Sequence, residues 1–365
     1  ITDFGAAGIP GQDDGPAIQA CITTAAATSQ GVWIPQGTFY STSAGLTVTG
    51  VTIRGAGMWY STVSGFDARF NLSTSNCQFY DFAILGDTVN RNDSSPENGF
   101  NNSAGTGAVI QNVWVEHTKC GYWAGCCGNN WPVPASNGLV VSGCRIRDTF
   151  ADGVNLNGGS QNCVVQNCEL RYTGDDSLAS WSNGGSSFPN VNNSYLDNTI
   201  QLPWRANCLA VYGGSGTLLR DNVCSDTLDY PGILLAQQFS STSFAGTTTV
   251  QANTVLRAGG PMWGTNYGAV CLAPTQGPIT GLVLQDLSVT ASTYYGLQIQ
   301  GTAVVGAAQV SNMADAGSGF DGMQAQATAR GSATFNGVIV QGSAGLAPGE
   351  PAAFTYVRGT GNAGW

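Results

Sequence analysis

Short runs of alternating apolar and polar residues recur along the whole chain, and each run is only a few residues long. Period-two alternation predicts half-buried β-strands. The runs share one order: a strand, a polar or glycine turn, a second strand, a polar or aromatic crossing, and a third apolar strand. The clearest units are LVVSGCRIRDTFADGVNL from Leu139, CVVQNCELRYTGDDSLAS from Cys163, TLLRDNVCSDTLDYPGILL from Thr217 and GLVLQDLSVTASTYYGLQI from Gly281.

A unit of a few tens of residues with three short strands predicts a solenoid whose coils stack on one another. We therefore expect an all-β protein, a right-handed parallel β-helix of the pectate-lyase-like type. A propeller or a sandwich would join antiparallel strands through hairpins, and regular Asn-Gly or Asp-Gly turns do not separate these strands.

The amino end differs from the repeats. In GIPGQDDGPAIQACI, a proline just inside a helix start and an apolar stripe predict a short capping helix. We expect residues 1–365 to form one β-helix domain, with the cap and first strands in 1–40. Irregular Gly, Ser and Asn tracts predict insertions that wall a cleft, at 86–107, 123–137, 180–194 and 238–247.

Charge and cysteine content narrow the function. A net charge of −10, with 12 basic residues, argues against nucleic acid, an anionic membrane surface or a polyuronic acid as partner. Eleven cysteines with almost no histidine suit a secreted protein with some disulfides and disfavour zinc. Because the number is odd, at least one thiol is free. We expect Cys126 and Cys127 to bridge to different partners, and the protein to be a monomer.

Two adjacent aspartates, Asp175 and Asp176, stand out in a chain with few charges. Asp152 precedes the third strand of its unit as Asp176 does in the next, and 24 residues, one coil, separate them. Strands of successive coils lie about 4.8 Å apart, so the two carboxylates should stack with Asp175 beside them. Carboxyl groups this close raise each other's pKa, so one of them keeps its proton. Glycosidic hydrolysis with inversion needs one carboxylic acid and one carboxylate base.

Aromatic and charged residues at the same offset in other coils predict a carbohydrate cleft, because flat rings stack on the faces of sugars. The tryptophans in and after the insertion at 180–194 add to it, and an arginine five residues before Asp176 would temper the negative charge. The candidate substrate-binding residues are Trp123, Arg171, Trp181, Trp204, Asp229, Tyr230 and Tyr295.

The aspartate doublet is also compatible with two roles outside catalysis. Clustered aspartates allow a structural calcium ion, and aspartate is common in corner turns. Neither role requires a third aspartate one coil earlier. The sole histidine, His117, is expected at a solvent-facing corner rather than as a base.

The segments FADGVNL, with Asp152, and YTGDDSLA, with Asp175 and Asp176, resemble the catalytic signature of glycoside hydrolase family 87, the α-1,3-glucanases and mycodextranases. The resemblance implies a secreted, inverting and endo-acting β-helix hydrolase of α-1,3-glucan that requires no cofactor and depends on three aspartates. By similarity to polygalacturonases, Asp175 would be the general acid and the other two aspartates the bases that position water.

The sequence departs from polygalacturonases because it has no Gly-His-Gly after the doublet and no Arg-Ile-Lys farther on. A neutral glucan therefore fits better than pectin. The alternatives are another β-helix glycosidase, such as a dextranase or a polygalacturonase-like enzyme, and a non-catalytic carbohydrate-binding β-helix.

Overall fold

The computed structural model describes residues 1–73, 75–125, 136–347 and 351–365. A 3-10 helix, Thr2–Phe4, and an α-helix, Gly15–Thr28, precede the strands. Pro16 lies in the first turn of the α-helix, where its missing N–H removes no hydrogen bond. The helix packs against the strands Val32–Ile34 and Leu46–Val48. It buries Ile18, Cys21, Ile22 and Ala25.

Parallel strands form two long sheets. A twelve-stranded sheet contains Leu46–Val48, Phe70–Leu72, Asn98–Asn102, Cys120–Ala124, Val154–Leu156, Leu178–Trp181, Leu209–Tyr212, Ile233–Gln237, Val270–Pro274, Leu297–Ile299, Asp321–Ala325 and Ala344–Leu346. A 24-stranded sheet contains Val32–Ile34, Gly37–Tyr40, Thr52–Gly55, Ser61–Ser64, Gln78–Leu85, Val109–Glu116, Val140–Ser142, Arg145–Arg147, Val164–Gln166, Glu169–Arg171, Ser194–Leu196, Thr199–Gln201, Leu218–Arg220, Val223–Ser225, Thr248–Gln251, Thr254–Leu256, Ile279–Thr280, Leu282–Gln285, Ser288–Thr290, Val304–Ser311, Ala314–Ala316, Arg330–Asn336, Ile339–Gln341 and Phe354–Arg358.

Three short strand pairs lie outside these sheets. Gly105–Thr106 pairs with Ser136–Asn137 and Gly214–Ser215 with Phe244–Ala245, both in parallel. Pro261–Met262 and Thr265–Asn266 form an antiparallel hairpin. The described residues include no helix with the length and apolar composition of a membrane span.

Strand register shows the stacking of the coils. The three strands that begin at Val140, Arg145 and Val154 pair in parallel with those that begin at Val164, Glu169 and Leu178. These two coils therefore contribute three strands each, as the repeat predicts, whereas Val109–Glu116 in the preceding coil is one continuous strand that pairs with both Val140–Ser142 and Arg145–Arg147. The predicted parallel β-helix with an amino-terminal capping helix is confirmed.

Stacked side chains of like kind fill the interior. Ile146, Leu170 and Ile200 occupy one register position in successive coils and are buried. At a corner, the amides of Asn198 and Asn222 form a ladder, in which Asn198 Nδ2 donates to Asn222 Oδ1 at 2.9 Å. Such ladders satisfy buried polar groups that would otherwise destabilise the stack.

Cysteine usage follows the prediction. Cys208 and Cys224 form a disulfide. Seven cysteines are buried without a disulfide and act as small core residues: Cys21, Cys77, Cys120, Cys144, Cys163, Cys168 and Cys271. Cys126 and Cys127 lie outside the described residues.

The predicted insertions overlap regular strands. Asn98–Asn102, inside 86–107, is a strand of the twelve-stranded sheet. The sequence NGFNN lacks the apolar alternation typical of a strand, because buried amides take the place of apolar side chains. Asn98 Nδ2 donates to Asn101 Oδ1 at 2.5 Å. The insertions 123–137 and 180–194 likewise begin inside strands, and residues 126–135 lie outside the described part.

Candidate active site

Asp152 and Asp176 stack on adjacent coils of the twelve-stranded sheet, as predicted. Val154 pairs in register with Leu178, so the aspartates two residues before each occupy equivalent positions. The Gly153 N–H donates to the Asp176 carbonyl oxygen at 3.0 Å, which links the two coils at this point. Three carboxyl groups therefore meet where these strands begin.

Asp152 is buried, with 6% of its surface exposed. Asn155 Nδ2 donates to Asp152 Oδ1 at 3.0 Å, and Cys120 Sγ lies 4.0 Å from Oδ2. Burial, followed by the charges of Asp175 and Asp176, raises the pKa of Asp152 well above its ordinary value. The neutral acid is the favoured form of this group.

Asp176 is also buried, and the next coil supplies its partners. Asn207 Nδ2 donates to Asp176 Oδ1 at 2.6 Å, and the Asn207 backbone N–H donates to the same oxygen at 3.2 Å. The hydroxyl of Tyr212 donates to Oδ2 at 2.8 Å. Burial and the neighbouring charge of Asp175 outweigh these bonds and raise the pKa of Asp176 to about 7.

Asp175 differs from both, because it forms ion pairs with two arginines. Arg91 Nη1 lies 2.6 Å and Arg205 Nη1 3.1 Å from Asp175 Oδ2. Its side chain is 25% exposed. Charge-assisted pairs of this kind stabilise the carboxylate. Two buried aspartates with raised pKa values thus adjoin one that is paired with two arginines, and such different surroundings give neighbouring carboxyl groups different chemical roles.

The triad lies in a cavity of about 690 Å³ with aromatic walls. Trp123 and Trp181 meet edge to face, with ring centroids 6.3 Å apart. Beyond the triad the lining continues with three further ring residues and a tryptophan on the hairpin loop: Tyr212, Tyr230, Phe239 and Trp263. Apolar rings around a few polar groups suit a pyranose chain.

Of the seven candidate binding residues, the structure brings three to the triad. Trp123, Trp181 and Tyr230 line the cavity together with the aspartates. Trp123 and Trp181 belong to strands of the twelve-stranded sheet, in which Trp123 lies opposite Asn155 and Trp181 opposite Tyr212.

The other four are absent from the lining of this cavity, and their role in binding stays a prediction. Arg171 ends a strand of the 24-stranded sheet and lies 4.8 Å over the Tyr172 ring, because the five residues to Asp176 cross a corner of the coil. Trp204 and Tyr295 pack instead on phenylalanine rings, Phe150 at 6.5 Å and Phe320 at 5.6 Å. Asp229 directly precedes Tyr230 in the chain but, unlike Tyr230, does not line the cavity.

The sequence pattern did not reveal the direct partners of the doublet: Arg91, Arg205, Asn207 and Tyr212. Tyr212 pairs in register with Trp181, so alignment of the strands Leu178–Trp181 and Leu209–Tyr212 would have placed it beside that tryptophan. Arg91 is 84 residues from Asp175 and reaches it from a loop, for which the repeat gives no signal.

The predicted wall segments contribute unequally. The tract 86–107 supplies Arg91 and residues 93–96 to the cavity, and 238–247 supplies Phe239. Beyond Trp181, the tract 180–194 supports a neighbouring loop: the Gly184 N–H donates to the Ser240 carbonyl oxygen at 2.9 Å.

The doublet fits the predicted calcium ion poorly, because the guanidinium groups of Arg91 and Arg205 already face Asp175 and repel a cation. Elsewhere, Glu116, His117 and Asp148 each bring one donor atom within 4.8 Å of the others. An imidazole in this set departs from the all-oxygen shell that calcium prefers. Structural calcium stays a prediction.

Comparison with known proteins supports a common origin. The model of the α-1,3-glucanase catalytic domain D2 family matches residues 17–316. The catalytic unit of a thermostable GH87 α-1,3-glucanase from Streptomyces thermodiastaticus strain HF3-3 is 32% identical at a TM-score of 0.85, over 100% of this chain and 68% of its own. A search of curated proteins gave no match.

Two further structures are informative. A GH87 α-1,3-glucanase catalytic domain in complex with tetrasaccharides is 27% identical at a TM-score of 0.85, over 97% of this chain and 68% of its own. The A-module of the mannuronan C-5 epimerase of Azotobacter vinelandii, 15% identical at a TM-score of 0.62 over 97% of this chain and 98% of its own, shares the fold alone.

GH87 α-1,3-glucanase catalytic domains have also been solved with one of three aspartates replaced by alanine, each in complex with nigerose or tetrasaccharides. Two of the replaced aspartates are adjacent. The third precedes the pair by the same number of residues that separates Asp152 from Asp175.

Proposed function

This chain belongs to the family of α-1,3-glucanase catalytic domains and is a glycoside hydrolase that cleaves α-1,3-glucan, and from this premise we propose that Asp152, Asp175 and Asp176 are its catalytic groups. The proposal rests on one observation: the three carboxyl groups line the same aromatic cavity, and each has different neighbours. The matching spacing of the replaced aspartates in related domains supports it.

We propose that hydrolysis proceeds with inversion, so that one carboxylic acid protonates the leaving oxygen while a carboxylate on the other face of the sugar activates water. Asp175 is the candidate acid, because its carboxyl group is the most exposed of the three to the cavity. Asp152 and Asp176 hold the attacking water.

In the free cavity the proton is on the wrong member of the doublet for this role. Arg91 and Arg205 pair with Asp175, whereas Asp176, with a pKa of about 7, holds a proton in mildly acidic solution. We infer that a bound sugar displaces the arginines from Asp175. Without those cations, the proton of Asp176 moves to Asp175 through water.

This transfer closes the catalytic cycle. Asp175 gives the proton to the glycosidic oxygen as the bond to the anomeric carbon breaks, and water attacks that carbon. The carboxylate of Asp176 takes the proton that the water loses. At the end Asp176 again holds a proton and Asp175 can pair again with Arg91 and Arg205, as in the free cavity.

Internal cleavage of the polymer is part of the proposal. The aromatic lining extends along the twelve-stranded sheet on both sides of the triad, from Trp123 in the preceding coil to Tyr230 and the Trp263 hairpin in later ones. Sugars can therefore be bound on both sides of the cut. Endo action predicts oligosaccharides of several lengths as early products.

Proton NMR of the first products tests the proposal. Inversion of an α-link releases a β-anomer, which appears before mutarotation and then converts to the equilibrium mixture. A first product in the α-configuration would refute inversion while leaving the hydrolytic activity intact. The lengths of the products in the same reaction distinguish endo from exo action.

We also propose that the protein is secreted and is a monomer. The Cys208–Cys224 disulfide supports an oxidising compartment. Detection of the intact protein in the culture medium of its host, and its mass by light scattering, would test the two statements.

A further inference from the structure

The two members of the doublet are held by chemically different partners. Cations hold Asp175, whereas the donors that face Asp176 are neutral: the amide of Asn207 and the hydroxyl of Tyr212. Tyr212 is itself buried, with 5% of its surface exposed. Its ring packs on Phe239 with centroids 5.4 Å apart, and this contact orients the hydroxyl toward Asp176.

Tyr212 comes from the strand next to that of the doublet. Leu209–Tyr212 pairs in parallel with Leu178–Trp181, so backbone hydrogen bonds fix the position of the tyrosine relative to the doublet. One hydrogen bond from a rigid, buried donor can set both the orientation and the proton affinity of a carboxyl group.

From this geometry we propose that Tyr212 is a positioning residue for the reaction: its hydroxyl, with the amide of Asn207, orients the carboxyl group of Asp176 and favours release of its proton toward Asp175. The inference rests on the proposed function, because it assigns Tyr212 a task in the same proton transfer. Tyr212 acts through Asp176 rather than on the reacting atoms.

Other groups around Asp176 set the background against which Tyr212 acts. The previous coil presents Asp152 and the doublet presents Asp175, both of which oppose ionisation of Asp176. The nearby cations, Arg91 and Arg205, form their ion pairs with Asp175. Two further tyrosines interact with Asp176 electrostatically, Tyr195 and Tyr230. Tyr212 is distinguished by its direct bond to the carboxyl group.

Tyr212→Phe tests the inference, since it removes the hydroxyl and keeps the ring against Phe239. A donated hydrogen bond favours the carboxylate, so its loss raises the pKa of Asp176. The free enzyme must hold this proton, and the pH dependence of kcat/KM reports the free enzyme. We expect the alkaline limb of kcat/KM, measured from pH 4 to 9 on a soluble α-1,3-linked oligosaccharide, to move up by about one pH unit.

Tyr195→Phe is the matched control. Tyr195 is fully buried, and its hydroxyl donates to the Ala179 carbonyl oxygen at 2.6 Å rather than to a carboxyl group. This variant should melt at a lower temperature with both limbs of the pH profile unchanged. Asn207→Ala provides a second test that does not depend on the folding of Tyr212→Phe, and it should move the same limb in the same direction.

The outcomes are separable. Movement of the acidic limb instead would support Tyr212 as a positioning residue but would overturn the proposed proton route, since Asp176 would then work as an ionised base from the start. Unchanged limbs in both Tyr212→Phe and Asn207→Ala, with only lower rates or melting temperatures, would overturn the inference. Neither result would change the conclusion that the parent enzyme is a glucanase.

Discussion

Arg91 Nη1 lies 2.6 Å from Asp175 Oδ2, although 84 residues separate the two in the chain. The same nitrogen donates to the Gly174 carbonyl oxygen at 3.1 Å. Lys119 Nζ anchors the loop that carries Arg91 by donating to the carbonyl oxygens of Asp93 and Ser95. The loop and the doublet therefore form one unit, and a sugar that enters the cavity must compete with Arg91 for Asp175.

Asp175→Asn should impair cleavage according to the leaving group. On α-1,3-glucan we expect a loss of about 10²–10⁴-fold in kcat, which is the usual contribution of a general acid. A fluoride of an α-1,3-linked glucose oligomer leaves without protonation, so fluoride release by the variant should stay within about tenfold of the parent enzyme. Equal losses on both substrates would remove the acid role from Asp175.

Trp181→Ala should weaken substrate binding with little effect on the chemical step. Loss of one stacking ring in the cavity should raise KM about tenfold and leave kcat nearly constant. Trp204→Ala is the control, because that ring packs on Phe150 outside the cavity, and its KM should stay within about twofold of the parent value. Comparable effects of the two changes would contradict the assignment of the cavity as the sugar site.

The buried carboxyl groups should leave a signature in the pH dependence of stability. The pKa of Asp176 rises from about 4 in an unfolded chain to about 7 in the folded protein. Between these values the folded chain binds the extra proton, so this contribution to the free energy of unfolding is complete below pH 4 and is lost as the pH rises through 7.

Asp176→Asn should therefore flatten the fall in stability between pH 5 and pH 8. Urea unfolding at several pH values measures it, and Asp197→Asn, at an exposed corner, should keep the parent slope. An unchanged slope in Asp176→Asn would show that Asp176 is ionised throughout this range.

Spacing along the repeat was sufficient for the stacked aspartates. Asp152 and Asp176, 24 residues apart, occupy equivalent positions because Val154 and Leu178 pair in register. Trp123 lies opposite Asn155, three residues beyond Asp152, so the offset placed it in the correct strand but not at the aspartate position. The rule failed for Arg171, since an offset counted backwards from Asp176 passes a corner and ends on another face of the coil.

Contacts from loops could not be predicted in this way. The position of Arg91 depends on how a tract without regular alternation folds over the sheet, and no period in the sequence encodes it. The strand Asn98–Asn102 was missed for a related reason: its buried positions hold amides that bond to one another, so the apolar signal of a strand is absent.

The most direct test of the aspartate triad is the release of reducing sugar from insoluble α-1,3-glucan by the parent enzyme and by Asp175→Asn, with dextran and polygalacturonate in parallel. Asp229→Asn, which replaces an acid outside the cavity lining, is the matched control. We expect activity on α-1,3-glucan that collapses in Asp175→Asn and persists in Asp229→Asn. An Asp175→Asn variant as active on α-1,3-glucan as the parent enzyme would contradict the catalytic role of the triad.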